Sequence, residues 1–196
     1  MNIGFSRRWP TASAALGVVL ACTVAACGGG GGGGGGGGPT QPPAPTRSIT
    51  WTAAGAPGSD TIFLDIRDLS NPDSFVLQIR VKGASDLYGF ALDLVYPSSM
   101  MTFASGSVEE GPFLTGGGSF DTRLEVAEPT AGRIIMGYSR LGDERGRNGN
   151  GLLLTLTFNT TANGSSDITI ESEIGVDRDG FPMPMTWLGG TVQVQR

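Results

Sequence analysis

LYGFALDLVYPSSMMTF, residues 87–103, decides how the rest of the chain is read. Tyr88, Phe90, Leu92, Leu94 and Tyr96 occupy every second position, and Gly89, Ala91, Asp93 and Val95 stand between them. Side chains alternate between the two faces of a strand, so this period of two predicts a strand with one buried face. On that parity Tyr88 and Tyr96 belong to the buried set. Pro97 has no N–H for a ladder and Ser98 and Ser99 favour a turn, so the strand stops there. Met100, Met101 and Phe103 then begin a second short strand.

The same texture extends in both directions. Upstream, Ile62, Leu64 and Ile66 alternate with Phe63, Asp65 and Arg67, and Asn71, Pro72 and Asp73 make a turn. Phe75, Leu77, Ile79 and Val81 form a further strand with one wet face, after which residues 83–86 turn the chain into the central stretch. Downstream, residues 133–141 (RIIMGYSRL), 151–160 (GLLLTLTFNT), 167–171 (DITIE) and 190–195 (GTVQVQ) each read as strands. No segment carries a helical period. Many short strands separated by turn residues imply an all-β chain folded as an antiparallel sandwich.

With these pieces in order, the chain over residues 59–196 resembles cohesin modules, the receptor domains of cellulosome-type assemblies. Cohesins have a strand like 88–96 ending in tyrosine and a turn, usually Tyr-Asp-Pro where this chain has Tyr96-Pro97-Ser98. A strand resembling 134–141, a glycine-led strand resembling 151–158 and one resembling 168–170 follow. An Asp-x-Asp-Gly-like loop, here Asp177-Arg178-Asp179-Gly180, and a Gly-Thr-Val-x-Val strand, here residues 190–194, close the module. The resemblance implies a jelly-roll β-sandwich of about nine strands, a fold shared with some cellulose-binding modules.

It also implies a non-catalytic function. In cohesins a dockerin helix pair docks on a flat sheet face that includes the strand matching 88–96. Carried onto this sequence, the partner-binding face is Gly89, Ala91, Asp93 and Val95. Many cohesins place Asn and Asp early on that strand, where this chain has Gly89 and Ala91. Small residues leave the face accessible to a helix but remove hydrogen-bonding groups. Two other readings stay open: a sheet face that is merely solvated, and a carbohydrate-binding module of the same fold. In the second, Trp187 and Trp51 would contact a polysaccharide, Trp187 from a loop after Pro184 and Trp51 from the boundary of the tether.

Composition narrows the chemistry. A chain of 196 residues accommodates one domain of ordinary size beside a non-globular start. Its formal charge of -5 makes nucleic acid an unsuitable partner. It has no histidine, and its two cysteines, Cys22 and Cys27, lie near the start, so neither a Ser-His-Asp triad nor a Cys-His pair can form. The remaining catalytic candidates are loop carboxylates: Glu109-Glu110, Asp143-Glu144, and Asp177 with Asp179. A glycosidase needs two such groups facing each other across a cleft. Asp177 and Asp179 before Gly180 could offer oxygen ligands to calcium, but a third polar ligand and a distal glutamate in register are missing, so a turn with Gly180 at positive φ is expected. No metal site and no cofactor is expected, and no enzyme activity.

The start of the chain reads as a transport and anchoring device. Arg7 and Arg8 precede an apolar run over 12–21 that is too short to span a membrane, the layout of a secretory signal. Val24-Ala25-Ala26-Cys27 is similar to a bacterial lipobox, which implies lipidation at Cys27 and a leader over residues 1–27. An ordinary signal peptide with incidental cysteines is the plainer alternative. Gly28 after the cysteine, where an aspartate would signal inner-membrane retention, implies the outer membrane. Eleven glycines over 28–38 and the proline-rich segment that follows predict a tether over residues 28–58. The whole is expected to be a lipid-anchored envelope protein, touching the membrane only through its anchor and displaying one module on the tether.

Overall fold

The computed structural model describes residues 48–67, 69, 71, 73–142 and 145–195. The leader, Cys27 and the glycine run lie outside the described residues. The strands are β1 (Ser48–Ala53), β2 (Thr61–Arg67), β3 (Ser74–Leu87), β4 (Gly89–Val95), β5 (Met101–Phe103) and β6 (Glu109–Glu110). After a single helical turn, α1 (Pro112–Thr115), come β7 (Thr122–Thr130), β8 (Arg133–Arg140), β9 (Arg147–Thr160), β10 (Gly164–Val176), β11 (Pro182–Met183), β12 (Thr186–Leu188) and β13 (Gly190–Gln195). Nine of these strands have six residues or more, and the others are two or three residues long. They form a jelly-roll sandwich. One sheet has the order β1-β13-β10-β4-β8-β7, with β11 added to β10. The other has the order β12-β2-β3-β9-β5, with β6 also on β9.

Alternation places the core as the sequence implies. Phe90, Leu92 and Leu94 of β4 and Ile134, Met136 and Tyr138 of β8 are buried from one side. Phe75, Leu77, Ile79 and Val81 of β3 and Leu154, Leu156 and Phe158 of β9 meet them from the other. Phe158 is the aromatic centre of this layer: it stacks on Phe75 with centroids 5.5 Å apart and receives the edge of Tyr96 at 5.0 Å. The corner at Pro97 forms as read, with the amides of Met100 and Met101 both donating to the Pro97 carbonyl. β5 then pairs with β9, so the chain changes sheet at that corner.

Three expectations are corrected. Residues 83–86 do not reverse the chain. β3 runs on through bulges against β9, with Gly83 at φ 63° and Asp86 at φ 65°, and passes into β4 of the opposite sheet. A bulge bends a strand without ending it, which is how a sandwich strand turns a corner. Gly83 is required there, since a Cβ would lie 2.8 Å from the Ser59 Cα. The tether does not reach residue 58: β1 pairs antiparallel with β13 from Ser48 to Ala53, and Ile49 is buried. The neighbouring prolines mask this strand, whose only apolar signal is Ile49 followed by Trp51. The sandwich is antiparallel as expected, with the three-residue β12 against β2 as its one parallel pair among the described residues. Tyr88 sits between β3 and β4 and is half-buried, its hydroxyl donating to the Gly142 carbonyl, whereas Tyr96 is buried.

Candidate functional site

The register of β10, β4, β8 and β7 defines the outer face of their sheet, because residues directly opposite one another share a face. Gly89 lies opposite Ser139 and Val176, and Ser139 opposite Arg123. The next row is Ile174, Ala91, Gly137 and Glu125. A third row holds Glu171, Asp93, Ile135 and Ala127, and a fourth begins with Thr169, Val95 and Arg133. The middle of the face is thus a strip of very small side chains, Gly89, Ala91, Gly137 and Ser139. Ile174 and Val176 wall it on one side and Arg123 and Glu125 on the other, leaving a groove of about 290 Å3.

The two glycines of this strip have different causes. At Gly89 a Cβ would lie 2.8 Å from the Ser139 Cβ, so packing demands glycine. At Gly137 a Cβ would meet nothing within 4 Å. Glycine in a strand interior weakens the strand, and it commonly marks a place where another molecule approaches closely. Gly137 answers no packing need, and what it does is keep the groove floor open.

Charge is fixed around this floor. The Arg133 guanidinium donates to Asp93 Oδ2 through Nε at 3.0 Å and Nη2 at 2.8 Å, and Nη2 also reaches Glu171 Oε2 at 3.1 Å. The Asp93 hydrogen bond raises the Arg133 pKa, against a smaller opposing effect of desolvation. On the other wall Arg123 and Glu125 form an exposed pair at 2.7 Å. The face therefore presents both signs at its rim and apolar surface at its centre, exposing Ile174 by 42% and Ile135 by 45%.

Of the sequence-derived face, Ala91, Asp93 and Val95 are half-buried in one row on the outer side of β4, and Gly89 is buried between β8 and β10. Asp93 is committed to Arg133. The contributions of β7, β8 and β10 follow from which strands lie beside β4, which the sequence pattern does not carry, although Gly137 stands visibly inside an alternating strand.

Trp51 and Trp187 lie in different sheets. Trp51 is opposite the buried Val192 and Trp187 opposite the buried Ile62, so each is on the inner side of its strand, half-buried against the core. Trp51 packs over Gly190, where a Cβ would lie 2.3 Å from its ring. Trp187 is in β12 and not in a loop, and it lines a groove of about 370 Å3 with Asp167, Thr169 and Thr191.

Asp177 forms a turn: its Oδ1 accepts the amides of Asp179 and Phe181 at 2.9 Å each, and Gly180 has φ 81°. Among the described residues no group of three or more acidic or thiol side chains is placed to hold a metal ion. Glu110 accepts hydrogen bonds from Thr122 at 2.5 Å and Tyr138 at 3.2 Å. Four surface grooves contain one carboxylate each, Glu125, Asp167, Glu109 or Glu128, and none of the four contains two. Asp143 and Glu144 lie outside the described residues.

No protein-family model matches the sequence, and no curated protein matches it. Solved structures do match the fold. A non-cellulosomal cohesin from the archaeon Archaeoglobus fulgidus aligns over 68% of this chain and 89% of its own, with 18% identity and a TM-score of 0.54. A type II cohesin domain from the cellulosome of Acetivibrio cellulolyticus aligns over 69% and 95%, with 12% identity and a TM-score of 0.58. The sixth cohesin of scaffoldin B from the same organism, solved in complex with a Cel5 dockerin mutant, aligns over 70% and 100%, with 14% identity and a TM-score of 0.57. The domain has the cohesin fold.

Proposed function

We propose that this domain is a non-catalytic docking module that binds a partner protein on the outer face of β10, β4, β8 and β7. The observation that carries the reading is Gly137, a strand glycine with open space where its side chain would be. A partner helix laid across the sheet places a bulky apolar side chain on the floor of Ala91 and Gly137, between Ile174 and the Arg123–Glu125 pair. The charges at the rim then set orientation and partner choice more than strength. A dockerin-type helix pair has this shape, and similarly folded cohesins have been solved with dockerins.

The lipobox-like sequence at Cys27 and the glycine tether support a place at the cell envelope, lipid-anchored to the outer membrane. One module would hold one partner, such as a polysaccharide-degrading enzyme. The groove beside Trp187, with Asp167 and two threonine hydroxyls, supports a second reading as a carbohydrate site. Trp187 is half-buried against the core, so a sugar would meet only the part of its ring that lines this groove, beside the Thr191–Asp167 hydrogen bond.

The test is affinity capture with the full chain from extracts of the source organism, with and without calcium, beside the Ala91→Arg variant. Docking predicts a calcium-dependent catch of proteins with paired calcium-loop helices, lost in the variant. A catch that Ala91→Arg leaves intact would falsify the assignment of this face. Sedimentation with insoluble polysaccharide that Trp187→Ala abolishes, without any protein catch, would favour the carbohydrate reading.

A further inference from the structure

Among the described residues β7 is the last strand of its sheet and pairs only with β8. The Leu141 amide donates to the Asp121 carbonyl at 3.0 Å on one side of β8, and the Arg140 amide donates to the Tyr88 carbonyl at 3.0 Å on the other. Along a strand the N–H and C=O of successive residues point to alternate sides. With the observed register, these two bonds assign Arg123, Glu125 and Ala127 to the ladder with β8. The N–H and C=O of Thr122, Leu124 and Val126 therefore face the open edge. Pro129 lies in the bulge between Ala127 and Thr130 and does not interrupt that row.

The inward side chains beside this edge are also unfinished. Leu124 and Val126 are half-buried and, with Phe103 and Val108, line a cleft of about 380 Å3 between the two sheets. A strand added to β7 would supply the missing backbone partners and place its own inward side chains over the cleft.

The charges of β7 choose the occupant. Arg123 and Glu125 stand two residues apart on the outer side, with side chains 69% and 68% exposed. In an antiparallel pairing of β7 with a second copy centred on Leu124, each Arg123 lies opposite the second copy's Glu125. Centring on Glu125 would set two carboxylates face to face, which is unfavourable. Leu124 also has its N–H and C=O on the open edge, so the charge-matched register is one in which the backbone groups meet. Residues 122–126 of the two copies then exchange about six hydrogen bonds around a two-fold axis.

We propose that β7 is a self-association edge through which two copies of this chain join into one continuous sheet. The joined sheet sets the two outer faces side by side. The inference does not rest on the docking reading, and either can fail alone.

The test is sedimentation equilibrium of the full chain in density-matched detergent over a range of micromolar concentrations. The expected result is a concentration-dependent rise to the mass of two chains. Arg123→Glu should give one chain, and Arg123→Glu combined with Glu125→Arg should restore two. Val126→Pro removes an edge N–H that β8 does not use, so it should give one chain that keeps the wild-type circular-dichroism spectrum, while its melting temperature falls through lost packing of Val126 and lost association. A single-chain mass for the wild type throughout overturns the proposal and leaves the edge to a strand of a different protein. A dimer that persists in both Arg123→Glu and Val126→Pro overturns it as well.

Discussion

The two sides of the β4–β8 pair are built on opposite rules. Inward, Phe90, Leu92 and Leu94 face Ile134, Met136 and Tyr138, and all six are buried against the second sheet. Outward, the same two strands carry Ala91 and Gly137 side by side, with an ion-paired Asp93 and Arg133 further along. The inner side is defined by volume supplied and the outer by volume withheld. Burial explains the first completely. It does not explain Gly137, whose absent side chain would touch nothing. If the proposed docking holds, a stability requirement and a binding requirement are written on alternate residues of one strand pair.

Substitutions should separate along that division. The largest effect is expected on the inner side: Leu92→Ala removes a side chain that is 1% exposed and should lower the free energy of unfolding by about 2–5 kcal/mol, read by urea denaturation. One residue earlier, Ala91→Arg should change stability by no more than about 0.5 kcal/mol. It should nevertheless weaken partner binding by about 100-fold or more, read by titration with the captured protein, because desolvated interface centres tolerate bulk and unpaired charge poorly. Comparable effects of the two variants on unfolding would erase the distinction.

A smaller effect sharpens the inner side. Burial, first, and the nearby Glu110 carboxylate raise the Tyr138 pKa above the ordinary tyrosine value of 10.0, against a lowering contribution from Thr122. Below pH 10 both folded and unfolded chains keep this proton, and the stabilisation is complete. Above about pH 10 the unfolded chain ionises first, so stability falls as pH rises toward the folded pKa. Tyr96, whose pKa is also raised by burial and by its hydrogen bond to Glu128, acts in the same direction. Thermal melting between pH 9 and about 11.5 should decline less steeply in Tyr138→Phe than in the wild type. Parallel profiles would show that the phenol does not govern alkaline unfolding.

What the sequence made legible follows the same line. The alternation at 88–96, the Pro97 corner and the principal strands could be read because burial repeats every second residue. β7 was not read: its apolar positions, Leu124 and Val126, are half-buried at an edge, and the glutamates and Pro129 around them resemble a loop. β12 is only three residues long and begins two residues after Pro184, and its parallel pairing with β2 joins segments more than a hundred residues apart. The outer face was legible on β4 alone. Its other walls depend on which strands lie beside β4, and the emptiness above Gly137 is a property of three dimensions that no pattern of residue types records.

Gly137→Val measured twice, for unfolding by denaturant and for partner capture, tests the docking face most directly. Valine suits a strand better than glycine and has open space to enter here, so unfolding should be unchanged or harder by up to about 1 kcal/mol. Capture should be lost, because the groove floor is filled. A variant that captures its partner as well as the wild type would contradict the role given to this face.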